Sequence, residues 1–352
     1  MGYRYIGSKA RIADDIIKYL GNPSNNEGYF IDAFSGTGIV ASKAADNGWK
    51  IKINDMMLNA VVMSESQLLS GDDVSFEKLG GYDQVFSLLN NSEGKKGFIW
   101  KEYSPASKEL IGIERRYFTE NNALKIDGIT SQIFEWLHND LISHKEFVFL
   151  MASLISATNN VANIAGTYGC FLSKWTEQSK KSLCLTPIYF RETTVDYIAT
   201  NYDVFSVESS ESDVVYLDPP YTKRQYASYY HILETIVSGD EPTVVGTAGL
   251  RPWENKSSVF CYKTKALKAL VRLVVQQKAN RVLISYSNDG HVQLESFRDE
   301  LAKYGDVKII ELASIGRYRP NATASSGKQE VKEYLINFQK HRGEINESPA
   351  NI

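Results

Sequence analysis

Hydrophobic and polar positions follow two different rhythms along this chain. Between about 29 and 60, and again from about 194 to 338, short apolar runs alternate with longer amphipathic stretches. That alternation predicts the strands and helices of an α/β sheet. The runs 29–34, 50–54, 214–217 and 282–285 read as buried strands, and Asp203-Val204-Phe205 reads as the end of another. Ile12, Ile16, Ile17 and Leu20 recur at helical spacing. Further helices are expected over 39–47, from Tyr226 to about Val237, over 263–278 and over 294–304. Two late strands, 307–312 and 331–338, follow one another with no helix between them, which predicts an antiparallel edge on a mostly parallel sheet.

From about 61 to 193 the alternation stops. Helical runs at 126–137 and 144–160 are separated by polar loops. This stretch is expected to be a mainly helical insertion that divides one catalytic domain, 1–60 with 194–340. A frayed polar tail is expected over 341–352, and the Gly- and Pro-bearing stretch 239–258 is expected to be mobile. Basic and aromatic residues interleave inside the insertion, as in Phe98, Trp100, Lys101 and Tyr103. Acidic residues are mixed with them, so any one cluster reads first as a solvated face.

The strand ends carry the chemistry. The first strand runs into Ser35-Gly36-Thr37-Gly38 and then a helix. Glycine lets the backbone approach a ligand, and the helix start favours its anionic or polar end. Val40-Ala41 stand where a dinucleotide fingerprint would have a third glycine, which disfavours NAD. The second strand ends at Asp55, a position suited to a ribose diol and also to capping the next helix. The run 214–217 stops at Asp218-Pro219-Pro220-Tyr221, where two prolines end the strand and stiffen the turn. Asp218 and Tyr221 are thereby fixed at a strand's carboxyl end, where open α/β sheets bind their ligands. Near the N-terminus, Gly7-Ser8-Lys9 precedes a helix and offers turn amides and an ammonium to a carboxylate or another anion. His231 reads as a packed helix histidine.

Composition narrows the choice. The chain has 352 residues and a net charge of −3, so it is not a general DNA-coating protein, and any nucleic-acid site must be a local basic patch. Cys170, Cys184 and Cys261 are odd in number, scattered and in no metal-ligand spacing. They point to reduced thiols in a cytoplasmic setting, with no disulfide frame and no metal site. The N-terminus does not read as a signal peptide, and no apolar run approaches the length of a membrane span, so no membrane partner is expected.

Phe34-Ser35-Gly36-Thr37-Gly38 followed by Asp218-Pro219-Pro220-Tyr221 resembles the D12 class of DNA adenine-N6 methyltransferases. The parts stand in the order of their alpha group: lysine motif, glycine motif, insertion, catalytic tetrad. Lys223-Arg224-Gln225-Tyr226, His231-Ile232-Leu233-Glu234-Thr235 and Ala162-Asn163-Ile164-Ala165-Gly166-Thr167-Tyr168-Gly169 are similar to Dam-like and, above all, FokI-type modification enzymes. The resemblance runs to about residue 338. It implies a Rossmann-like S-adenosylmethionine-dependent methyltransferase fold in which 61–193 is an inserted target-recognition domain. It also implies methyl transfer to an adenine flipped out of double-stranded DNA, within a restriction–modification system or as an orphan modification.

By the same resemblance, Tyr5, Gly7 and Lys9 help hold the methionine part of the cofactor. Asp32, Phe34, Gly36 and Gly38 line its cleft, Asp55 binds the ribose hydroxyls, and Asp203 and Phe205 lie beside its adenine. Asp218 borders the cofactor and, with the Pro219 carbonyl, accepts the two N–H hydrogens of the target amine. Pro220 stiffens the loop and Tyr221 offers the base a flat face. Lys223, Arg224, Tyr226, Arg317 and Arg319 are the expected DNA contacts. A cognate restriction endonuclease is a candidate partner, and the protein is expected to be a monomer. The same tetrad also serves enzymes that methylate RNA bases or protein amides; the large insertion favours DNA. A cofactor-binding protein without turnover is disfavoured by the intact Asp218 and Tyr221.

Overall fold

Residues 5–24, 28–312 and 331–341 are described by the computed structural model. The chain divides into two units: Ser8–Met56 with Asp196–Gln225 and Ser258–Ile352, and Met1–Gly7 with Met57–Val195 and Tyr226–Ser257.

The first unit is built on a seven-stranded sheet. Its strands are β1 (Tyr29–Asp32), β2 (Lys50–Asn54), β3 (Tyr197–Thr200), β4 (Val214–Leu217), β5 (Arg281–Ser287), β6 (Gly305–Glu311) and β7 (Glu333–Lys340), in the order β3-β2-β1-β4-β5-β7-β6. The pairs among β1 to β5 are parallel, and β7 is antiparallel to both of its neighbours. The fold is therefore the Rossmann-like methyltransferase arrangement, with the one reversed strand inserted beside β5 and β6 at the edge. Every residue of β4 is buried, as a central parallel strand covered on both faces requires. Val215, Leu217, Val282, Ile284, Ile336 and Phe338 form a continuous core with Leu270, Leu273 and Val274 of helix Lys263–Gln276. The strand order reverses between β1 and β4, so the glycine turn and the proline loop leave the sheet at its switch point.

One strand is displaced from its expected place. Asp203-Val204-Phe205 does not end a strand: Val204–Ser206 is a single 3₁₀ turn, and β3 lies before it. β3 is a half-exposed edge strand with little hydrophobic contrast, whereas the apolar Val204 and Phe205 serve the turn.

The second unit is mainly helical, with helices Leu58–Ser66, Tyr82–Asn90, Phe98–Tyr103, Ser107–Ile111, Glu120–His138 and His144–Val161. Thr119 caps the fifth of these, accepting from Asn122 N, and a Ser143–Glu146 capping box opens the sixth. Residues Tyr226–Ser257, assigned to the catalytic domain by pattern alone, pack with these helices. The Glu234 carboxylate accepts the amides of Leu58 and Asn59 at 3.1 and 2.9 Å, capping helix Leu58–Ser66 from a distant part of the chain, and pairs with Lys256. The stretch expected to be mobile is fastened at its tip. Four successive carbonyls, Gly246 to Gly249, accept bonds from Arg115 Nη2, Arg115 Nε, Tyr117 and Tyr103. His231 is packed, as its helical spacing suggested: its Nε2 lies 3.0 Å from the Tyr168 carbonyl, and burial lowers its pKa to about 4. Among the described residues no helix is long and apolar enough to cross a membrane.

Candidate active site

The glycine turn is shaped by its backbone. Gly36 and Gly38 have φ of 53° and 77°, a region that side chains with a Cβ resist. Asp55 Oδ2 accepts the Gly36 amide at 3.0 Å, so the acid at the tip of β2 braces the turn, while Glu234 takes the first amides of the next helix. Asn54, overlooked in the sequence, staples three strand ends. Its Nδ2 donates to the carbonyls of Ala33 and Tyr202, and its Oδ1 accepts from Tyr202 N and the Thr200 hydroxyl. A polar residue at the buried end of an otherwise alternating strand was the available signal.

Asp32 ends β1 and is buried, and its Oδ1 has no hydrogen-bond partner among the described residues. Burial raises its pKa well above the usual carboxylate value, and the neighbouring Asp218 and Asp55 add to the rise, against the pull of the Phe34 and Ala41 amides. A folded-state pKa above the unfolded one means that stability is lost as pH climbs above about 4. Asp32→Asn is therefore expected to stabilise the cofactor-free protein by roughly 1 kcal/mol at pH 8 and by much less at pH 5. Thermal unfolding at the two pH values measures this; an equal or inverted difference would refute an ionisation penalty at Asp32.

At the end of β4 a charged ring forms around Lys9. Its Nζ lies 3.1 Å from Asp218 Oδ1, 3.4 Å from Glu333 Oε2 and 3.4 Å from the Tyr221 hydroxyl. The Tyr221 hydroxyl donates to Glu333 Oε1 at 3.2 Å. Burial pulls the Lys9 ammonium down, but Asp218, Tyr221 and Glu333 together hold it well above its ordinary pKa. Burial pushes Asp218 up to about 6; Lys9 opposes that rise and Glu333 adds to it. The anion that the sequence expected for Lys9 is thus a pair of carboxylates of this chain. The loop beyond is held by its backbone: Tyr221 O accepts from His291 N at 2.8 Å, Arg224 O from Cys261 Sγ at 3.2 Å, and Gln225 pairs with the Ser258 backbone. Lys223 and Arg224 are exposed on this fixed loop.

The other expected residues fall into separate groups. Asp203 caps its 3₁₀ turn through Phe205 N. The Phe205 ring stacks on Phe260 with centroids 5.8 Å apart, Phe34 meets the same Phe260 edge-on at 5.8 Å, and the Arg272 guanidinium lies 4.8 Å from the Phe205 ring. Phe260 carried no signal in the sequence, since it lies in a single 3₁₀ turn, Val259–Cys261, with no motif around it. Tyr5, Gly7 and Tyr226 come together in the helical unit. Tyr5 stacks on Tyr230 at 4.4 Å, the Tyr226 hydroxyl donates to Ile6 O, and a Cβ on Gly7 would sit 2.7 Å from that hydroxyl. Arg317 and Arg319 lie outside the described residues. Among the described residues no cluster of His, Cys, Asp and Glu could hold a metal ion.

Residues 5–299 match the family model of the D12 class N6 adenine-specific DNA methyltransferases. The chain belongs to that class. It is 30% identical to the type II methyltransferase M.FokI of Planomicrobium okeanokoites, over 99% of this chain and 54% of that protein. It is also 30% identical to the modification methylase StsI of Streptococcus sanguinis, over 96% and 52%. With the type II methyltransferase M.NlaIII of Neisseria lactamica it shares 30% identity over 87% of this chain and 90% of that protein. The chain spans about half the length of the first two relatives and nearly all of the third. Within this D12-class chain the glycine turn, Asp55 and the proline loop all fall inside the matched residues, while Glu333 lies beyond them.

Proposed function

We propose that the protein is a site-specific DNA adenine-N6 methyltransferase that uses S-adenosylmethionine on an adenine flipped out of double-stranded DNA. The observation that carries this reading is Asp218, held by Lys9 at the mouth of the rigid Pro219-Pro220-Tyr221 turn at the end of β4. The residues fit the cofactor. Asp32 keeps a buried oxygen without a partner, which suits a ligand bringing hydrogen-bond donors, and S-adenosylmethionine carries an ammonium and ribose hydroxyls. When bound, it supplies a sulfonium methyl to a nucleophile. Asp32 would face the donors, Asp55 the ribose, and Phe34, Phe205 and Phe260 the adenine ring.

The chain's own contribution is to make a weak nucleophile competent. The exocyclic amine of adenine delocalises its lone pair into the ring. Asp218 and the Pro219 carbonyl accept its two N–H hydrogens and favour a tetrahedral nitrogen with the lone pair directed outward. The pairing of Asp218 with the Lys9 ammonium at 3.1 Å favours the ionised carboxylate, which can only accept. Fixing the loop through Tyr221 O and Arg224 O places these acceptors before the base arrives. Tyr221 gives the base a flat face, and a stacked base cannot reach such a pocket without leaving the duplex. Lys223 and Arg224, both exposed, would meet phosphates, and Tyr226, Arg317 and Arg319 are the further DNA contacts of this reading. Target recognition belongs to the helical unit, including Tyr226–Ser257. A cognate endonuclease is a candidate partner, the chain acts as a monomer, and the site of action is cytoplasmic DNA.

Single-molecule sequencing of DNA from cells producing the protein is expected to show methylated adenine in one short motif. Unmodified adenine despite folded protein would overturn the reading and direct the search to amines of RNA bases or protein amides.

A further inference from the structure

We infer that Glu333 is a positioning residue for methyl transfer, holding Lys9 and the Tyr221 hydroxyl in place around Asp218. This rests on the function proposed above and assigns a role to a residue beyond the family match. The sheet topology makes it possible. Strands β1, β2, β4 and β5 bring their carboxyl ends to the working edge, whereas β7 runs the other way and brings its first residue there. Glu333 is that first residue, and it pairs with Ser287 at the end of β5. It is buried, with 7% of its surface exposed.

The hydrogen-bond count supports a fixed ring. An ammonium has three donors, and Lys9 has three acceptors within reach: Asp218 Oδ1, Glu333 Oε2 and the Tyr221 hydroxyl. The Tyr221 hydroxyl donates its hydrogen bond to Glu333 Oε1, so the two carboxylate oxygens serve two different partners. Without Glu333 the Tyr221 hydroxyl loses its acceptor and one Lys9 donor is left unpaired in a buried place. The ring that faces the base then keeps its packing on Tyr286, 5.4 Å away between centroids, and its contact with Lys9, but has no acceptor to fix its hydroxyl.

The charges act on Asp218 as well. The groups around it are Lys9 from the N-terminal turn, Glu333 from β7, Asp32 from β1, Tyr216 from β4 and Tyr221 from its own loop. Glu333 raises the pKa of Asp218 and Lys9 lowers it. Removing the Glu333 charge takes away a repulsion and leaves Lys9 to Asp218, so Asp218 should ionise at lower pH. A residue that merely supported β7 would not produce this shift.

The test uses Glu333→Gln and Glu333→Asp in the full chain. In Glu333→Gln, single-turnover methylation should fall about 10- to 100-fold, with the cofactor Kd changed less than about threefold. The acid limb of the rate should move to lower pH. In cofactor-free protein, the Asp218 carboxyl carbon, assigned by its loss in Asp218→Asn, should titrate with a lower midpoint than in the wild type. Glu333→Asp should return the midpoint toward wild type and recover part of the rate. A wild-type rate in Glu333→Gln, an unmoved Asp218 midpoint, or a rate loss matched by lost cofactor binding and a lower unfolding temperature would overturn the assignment. If the wild type methylates no DNA, the proposed function fails on its own, and the carboxyl titration still decides whether Glu333 governs Asp218.

Discussion

Asp218→Ala is expected to lower methyl transfer by about 10³-fold or more, because it removes an acceptor aimed at the group that changes charge and shape in the transition state. The variant should keep its fold. Lys9 retains Glu333 and the Tyr221 hydroxyl, and the following loop is held through Tyr221 O and Arg224 O, not through the Asp218 side chain. Cofactor affinity should weaken only modestly. The size of the two effects separates a residue that acts on the reacting amine from one that binds. Asp218→Asn sharpens the comparison: it preserves volume but replaces one acceptor by a donor, so it should be nearly as damaging. Single-turnover assays with labelled cofactor and calorimetric binding would measure both quantities. Turnover within tenfold of wild type in either variant would remove Asp218 from the chemistry.

Asp55→Ala should act in the opposite way, raising the cofactor Kd by about 30- to 100-fold while leaving the rate at saturation close to normal. Two losses combine. The proposed acceptor for the ribose hydroxyls goes, and so does the brace on Gly36 N at 3.0 Å, so the turn with its two positive φ angles loses its side-chain support. Hydrogen bonds to a carboxylate are worth about 1.5–3 kcal/mol, which sets the scale of the Kd change. Helix Leu58–Ser66 should survive, since Glu234 caps it. An unchanged Kd would refute the ribose assignment, and a loss of helical content would show that Asp55 matters chiefly for folding.

The parts of the fold legible in the sequence were those with local causes. β4 is four apolar residues followed by Asp218 and two prolines, and its limits are those the pattern predicts. Helix Ile39–Asp46 and β2 also lie within a residue of expectation, since a glycine turn and a charged tip punctuate them. What escaped depends on pairing across the chain. β3 is an edge strand whose half-exposed residues carry no strong alternation. The place of β7 between β5 and β6 is a matter of sheet order, which hydrophobic pattern does not encode. Lys9 and Asp218 were singled out by their motifs, but Glu333, which completes their ring, stands in an ordinary strand start with no motif around it. The stretch expected to be mobile is fixed by Arg115, Tyr103 and Tyr117, more than a hundred residues earlier in the sequence.

The way the chain is shared between its units bears on the order in which they can be completed during synthesis. The helical unit is assembled from Met1–Gly7, Met57–Val195 and Tyr226–Ser257. Its Leu58–Ser66 helix is capped by Glu234, and Arg115 closes on the carbonyls of Gly246 and Thr247. Emergence of Val195 from the ribosome therefore leaves this unit with an uncapped helix start and a buried arginine short of acceptors. Only after Ser257 has emerged, with β1 to β4 of the sheet already outside, can the helical unit close. The sheet unit in turn waits for β7, near the end of the described chain, before Lys9 has both of its carboxylates. Neither unit matures as an independent early domain, and a nascent chain halted between Tyr221 and Glu333 would carry the motifs of the reaction without the finished site.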